Sequence, residues 1–118
     1  MRVLLVDDSN TMHKIQRNQL GGIGITDIID AANGQEGMEK LAENMPVDIV
    51  LLDINMPIMD GMAMLRNVRQ NPAYKDVKII MVTSESEKSK VIEAVGAGAN
   101  GYIVKPFTPE VFKEKLGL

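Results

Sequence analysis

The chain contains no cysteine, which excludes disulfides, thiolate nucleophiles and cysteine-ligated metals. Aromatic residues make up only 3% of it, so stacking cannot dominate the core or a nucleobase platform. No apolar run approaches the roughly 20 residues needed to cross a bilayer, and Met1, Arg2 and Val3 lead directly into an apolar stretch without a signal-peptide pattern. A cytoplasmic protein with no membrane insertion is expected. A net charge of -3, with no run rich in Lys or Arg, argues against a nucleic-acid partner. What is present is 118 residues, enough for one domain with a real core, and nine methionines whose flexible thioethers suit gaps between helices and a sheet. Met12, Met38, Met62 and Met81 are read as such core residues.

Short β-branched runs alternate with longer stretches of helical spacing, the pattern of repeated βαβ units on a largely parallel sheet. Strands are predicted over Val3–Val6, Asp27–Ala31, Ile49–Leu52, Val77–Val82 and Gly101–Val104. Between them, helix starts have identifiable caps: Ser9 or Asn10, Asn33, Asp60, Ser84 or Ser86, and Thr108 followed by Pro109 at the first helical position. Met62, Leu65 and Val68 mark the core face of the third helix, and Phe112 and Leu116 that of the fifth, which is short enough to need firm packing. Gly96, Gly98 and Gly101 match G-x-G-x-x-G, but they precede a strand, so a helix stop and turn is expected there rather than a dinucleotide site.

Four of the apolar runs end in residues that carry chemistry. Asp7 and Asp8 follow the first, Asp53 the third, Thr83 the fourth and Lys105 the fifth. In an open α/β sheet, the carboxyl ends of the strands share one edge, and ligands bind there. Asp7 and Asp8 taken alone can equally be acids capping the next helix. Taken together, three carboxylates on one edge repel one another unless a hard cation sits among them, which points to a divalent metal and a phosphate. Asp53 is the natural nucleophile, since a carboxylate can accept a phosphoryl group and become an acyl phosphate. Mg2+ would relieve the repulsion between the two anions, with Asp8 and Asp53 as direct ligands, the main-chain carbonyl of Asn55 as a third, and Asp7 acting directly or through water. Lys105 would clamp phosphoryl oxygens electrostatically, and Thr83 would donate one hydrogen bond to them. His13 lies among Lys14, Gln16 and Arg17 and is read as a solvated surface imidazole.

Asp7-Asp8-Ser9, Leu51-Leu52-Asp53-Ile54-Asn55-Met56-Pro57 with Asp60-Gly61, Val82-Thr83 and Tyr102-Ile103-Val104-Lys105-Pro106-Phe107 together resemble the receiver domains of two-component response regulators, over essentially the whole chain. Among them, the chain is similar to the stand-alone receivers of chemotaxis. The resemblance implies one receiver domain over residues 1–118, with a flavodoxin-like (βα)5 doubly wound parallel five-stranded sheet in order 2-1-3-4-5. It implies phosphorylation of Asp53 by a histidine kinase, and Mg2+ at Asp7, Asp8, Asp53 and Asn55. It implies a cis Lys105-Pro106 bond, and a switch in which Thr83 moves toward the phosphate and Tyr102 turns inward. The output face would include Val91, Val95, Tyr102, Val104, Phe107 and Lys115. A monomeric messenger is expected, since no effector domain follows Leu118, with the flagellar motor switch as target and a phosphatase as a further partner. Ser84, Asn55 and Glu85 flank the site, where they would affect access to the acyl phosphate.

Other readings predict different residues. A phosphorelay intermediate or phosphate sink would use the same site. A phospho-aspartate phosphatase of the haloacid-dehalogenase type would need a second Asp two residues after the nucleophile, where this chain has Asn55. A flavin carrier would need a first loop of Ser, Thr and Gly rather than Asp7 and Asp8.

Overall fold

The computed structural model describes residues 1–84, 88–105 and 108–117. Strands β1 (Arg2–Val6), β2 (Asp27–Ala31), β3 (Ile49–Leu52), β4 (Lys78–Thr83) and β5 (Gly101–Val104) alternate with helices α1 (Asn10–Gly22), α2 (Gly34–Asn44), α3 (Gly61–Gln70), α4 (Lys88–Gly96) and α5 (Pro109–Leu116). The strands form one parallel sheet in the order 2-1-3-4-5, the doubly wound arrangement expected from the sequence.

Strands β1, β3 and β4 are apolar on both faces because both faces are covered. Leu4, Val6, Val50, Leu52, Ile79 and Met81 point to a core closed by Leu41, Met64, Leu65, Val68 and Ala94 of α2, α3 and α4. Alternate residues Val3, Leu5, Ile49, Leu51, Ile80 and Val82 point the other way, toward Leu20 of α1 and Phe112 and Leu116 of α5. Burial of these two layers is the main force holding the edge residues in place. Met62 and Met81 are buried as read, Met38 is partly buried against the first layer, and Met12 is partly exposed.

Four of the expected caps close their helices. The side chains of Ser9, Asn33, Asp60 and Thr108 accept from the main-chain N–H groups of Met12, Glu36, Ala63 and Val111. Pro109 occupies the first turn of α5, and Gly117 ends that helix in the left-handed conformation at φ 77°. The proposed cap Ser86 lies outside the described residues. The glycines of the G-x-G-x-x-G match behave as a stop and turn: Gly96 ends α4, Gly98 has φ 106°, and Gly101 begins β5.

Strand β4 departs from the sequence reading by one residue at each end. The N–H of Val77 is taken by Tyr74 O at 3.1 Å in a short 3-10 turn, so Val77 cannot open the ladder. Thr83 stays in the ladder because its carbonyl accepts from Lys105 N at 2.8 Å. That bond ties the ends of β4 and β5 together, and with them two of the residues that carry chemistry.

Candidate functional site

Asp7 is the first residue past β1, and its N–H still reaches Ala31 O at 3.1 Å, so the sheet holds its backbone. Its carboxylate is buried, accepting from Ser9 N at 2.8 Å and from Lys105 Nζ at 2.8 Å. Asp53 sits one strand over. Its N–H extends the ladder to Val6 O at 3.0 Å, and its Oδ1 accepts from the following amide, Ile54 N, at 2.8 Å. Thr83, fully buried at the end of β4, borders the same carboxylate. Lys105 Nζ lies 3.5 Å from Asp53 Oδ2, an ion pair longer than a hydrogen bond, while it grips Asp7 closely.

Asp8 completes the group. One oxygen from each of Asp7, Asp8 and Asp53 lies within 4.8 Å of the others. Asp8 is exposed, and its carboxylate makes no hydrogen bond or ion pair with the described residues, so it faces solvent as a ready ligand. Three carboxylates against one ammonium leave a formal excess of two negative charges, which a divalent cation matches. The donors are all hard oxygens, and Mg2+ commonly retains several waters, so this set fits that ion.

The Asp53 carboxyl is raised above its ordinary value. Burial is the largest cause and the negative charge of Asp7 adds to it, while Lys105, the Thr83 hydroxyl and the hydrogen bond from Ile54 pull the other way. A partly desolvated carboxylate beside a lysine and a hydroxyl is chemically suited to accept a group that brings its own negative oxygens.

The loop after β3 is shaped by close approach. The N–H of Gly61 donates to Ile54 O at 2.8 Å, and a Cβ at position 61 would stand 1.9 Å from the carbonyl oxygen of Asp53. Only glycine fits there without moving the backbone of Asp53 itself. Asn55 is exposed in this loop, two residues beyond Asp53. Ile58 has φ 68°, with Met59 N donating to Pro57 O at 2.8 Å, a tight turn that is strained for a β-branched residue.

Away from the edge, Tyr102 on β5 lies beside Met81 and packs, partly buried, against the first core layer. Val91 is partly buried, whereas Val95, Val104 and Lys115 are exposed. Phe107, Glu85 and the Lys105-Pro106 bond lie outside the described residues.

The reading of His13 as a solvated imidazole is wrong. Its side chain is 12% exposed, with Nε2 2.7 Å from Asp7 O and Nδ1 2.9 Å from Asp30 Oδ1. Helical side chains tilt toward the helix N-terminus, and His13 stands one turn after the Ser9 cap, so its ring reaches back over the cap to the end of β1. Counting from that cap would have found it. Gln16, read on the same polar face, is buried.

The family described as response regulator receiver domain matches residues 3–117. Among curated proteins, the chain is 47% identical to chemotaxis protein CheY1 of Helicobacter pylori, covering 98% of this chain and 94% of the relative. It is also 47% identical to the chemotaxis protein CheY homolog of Campylobacter jejuni, covering 98% and 89%. Among solved structures, Vibrio cholerae chemotaxis protein CheY4 aligns with a TM-score of 0.89 at 34% identity, over 98% of this chain and 95% of that one. CheY in the CheX-CheY-BeF3-Mg2+ complex from Borrelia burgdorferi aligns with a TM-score of 0.92 at 32% identity, over 98% and 86%. With its sheet order, its converging acids and these relatives in agreement, the chain belongs to the response regulator receiver domains, as a signalling domain of the CheY type rather than a classical enzyme.

Proposed function

We propose that the chain is a phosphorylation switch that accepts a phosphoryl group on Asp53 from a histidine kinase and passes the signal through the α4-β5-α5 face, with the flagellar motor switch as its target. The observation that carries this reading is the convergence of Asp7, Asp8 and Asp53 within 4.8 Å, with Lys105 and Thr83 both on Asp53. Asp7, Asp8, Asp53 and the Asn55 carbonyl would hold Mg2+. When bound, the ion supplies charge neutralisation between the Asp53 carboxylate and the incoming phosphoryl oxygens.

The residues of the chain do the rest. An Asp53 carboxylate oxygen attacks the phosphorus of a phosphohistidine, a P–O bond forms, and the P–N bond breaks with its electron pair leaving on the imidazole. Lys105, held beside Asp53 by its pairing with Asp7, meets the new phosphoryl oxygens with a compact positive charge. The Thr83 hydroxyl donates to a phosphoryl oxygen. Because Lys105 N is bonded to Thr83 O, movement of Thr83 is felt at the end of β5. Tyr102, partly buried on that strand, then turns further inward and reshapes a face on which Ile92, Val95 and Val104 are exposed.

The relative from Borrelia burgdorferi, solved as a complex of CheY with CheX, BeF3 and Mg2+, supports the reading of a receiver that takes Mg2+ and engages a protein partner. Within the described residues, no helix is long and apolar enough to cross a membrane, and a cytoplasmic messenger is proposed. Binding of a flagellar switch peptide before and after treatment with acetyl phosphate and Mg2+ tests the output. Tighter binding after treatment is expected, and unchanged affinity would count against the motor role.

A further inference from the structure

We infer that His13 is a positioning residue for the cation site, holding the Asp7-Asp8 peptide so that the Asp8 carboxylate stands where a metal needs it. This rests on the Mg2+ reading above and deepens it. The carbonyl of Asp7 can only accept, so the 2.7 Å contact means that His13 Nε2–H donates to it. The other side of the ring is fixed at 2.9 Å by Asp30 Oδ1. Asp30 is itself held by Arg17, which donates to its Oδ2 through both Nε and Nη2 and to Ile28 O at 3.3 Å. Asp30 belongs to β2, in register with Leu5 of β1, so the chain of contacts is anchored in the sheet at both ends.

What this chain of contacts controls is the plane of one peptide. The carbonyl of Asp7 and the amide of Asp8 are coplanar, so holding that oxygen fixes the direction in which the chain enters Asp8. The other two acids have independent anchors: Asp7 through Ser9 N and Lys105, and Asp53 through Ile54 N and the ammonium of Lys105. The Asp8 side chain has none among the described residues, so its position depends on the backbone beneath it. Outer contacts of this kind orient ligands that lack side-chain partners of their own. A merely structural His13 would clamp α1 to β2 and affect stability, leaving cation affinity unchanged.

The experiment is a calorimetric Mg2+ titration of the full chain as wild type, His13→Phe, His13→Ala, His13→Gln and Asp8→Ala, with a thermal melt of each in the absence of metal. His13→Phe keeps the packed ring and removes the N–H that holds the Asp7 carbonyl, so Mg2+ affinity should fall about tenfold. His13→Ala should fall similarly. His13→Gln retains an N–H for the same carbonyl and should stay within about twofold of wild type. Unchanged or tighter binding in the folded Phe or Ala variant would overturn the role of His13, and so would an equal loss in Gln and Phe. In either case, weakened binding in Asp8→Ala would leave the metal reading standing. No Mg2+ binding by the wild type, or full affinity in Asp8→Ala, would remove both.

Discussion

At the amino-terminal edge of the sheet, Arg69 donates to four acceptors: Gly98 O at 2.9 Å, Tyr74 O at 3.2 Å, Val77 O at 2.8 Å and Asn100 Oδ1 at 2.8 Å. Asn100 Oδ1 also accepts from Ile79 N at 2.8 Å, and Asn100 N returns a bond to Ile79 O at 2.7 Å. At the carboxyl-terminal edge, by contrast, two of the three carboxylates, Asp7 and Asp53, share one lysine, and Asp8 has no partner among the described residues. Burial acts on both edges, pushing the Arg69 guanidinium down and the Asp53 carboxyl up. Only the first is offset by hydrogen bonds from four of the five guanidinium N–H groups. One edge is arranged for stability, and the other retains unfavourable electrostatics for a ligand to resolve.

The largest effect that would sharpen this contrast is the loss of Arg69. Arg69→Ala leaves the Asn100 turn, the 3-10 turn and the start of β4 without their common donor, and should cost about 2–4 kcal/mol in urea unfolding. A loss below about 1 kcal/mol would mean that the matched edge is not what stabilises the fold.

On the opposite edge the sign should reverse. Asp53→Asn should stabilise the metal-free protein by about 1 kcal/mol near neutral pH, because it removes a buried charge facing Asp7. The raised Asp53 carboxyl binds its proton more tightly in the folded chain than in the unfolded chain. Its contribution to stability is therefore present at low pH and is lost as pH rises through the folded value. The advantage of the Asn variant should then shrink as unfolding is repeated from about pH 7 down to about pH 4. An advantage that grows on acidification would contradict the direction assigned here.

The smallest effect belongs to Asp8→Ala. Its carboxylate is exposed and screened, so metal-free stability should rise only by a few tenths of a kcal/mol. A marked loss of stability would show that Asp8 has a structural partner in solution.

The same two edges differ in how far they can be read from sequence. The acids were legible because each follows an apolar run, and parallel pairing alone brings Asp7, Asp53, Thr83 and Lys105 together. Caps such as Asn33 and Thr108 were legible because they act within three residues. The Arg69 clamp was not, since its partner Asn100 lies 31 residues away on a turn whose shape no local signal specifies. His13 was hidden differently: its neighbours Lys14 and Arg17 are exposed, and only the backward tilt of the side chain and the register of Asp30 on β2 take its ring out of solvent. The placement of Val77 turned on a single competing bond to Tyr74.

Labelling by acetyl phosphate tests the central claim most directly, with the modified residue located by mass spectrometry in the wild type and in Asp53→Asn, each with and without Mg2+. One phosphoryl group per chain, on Asp53 and only when Mg2+ is present, is the predicted result. Labelling that persists without the metal, or that remains stoichiometric in Asp53→Asn, would contradict it.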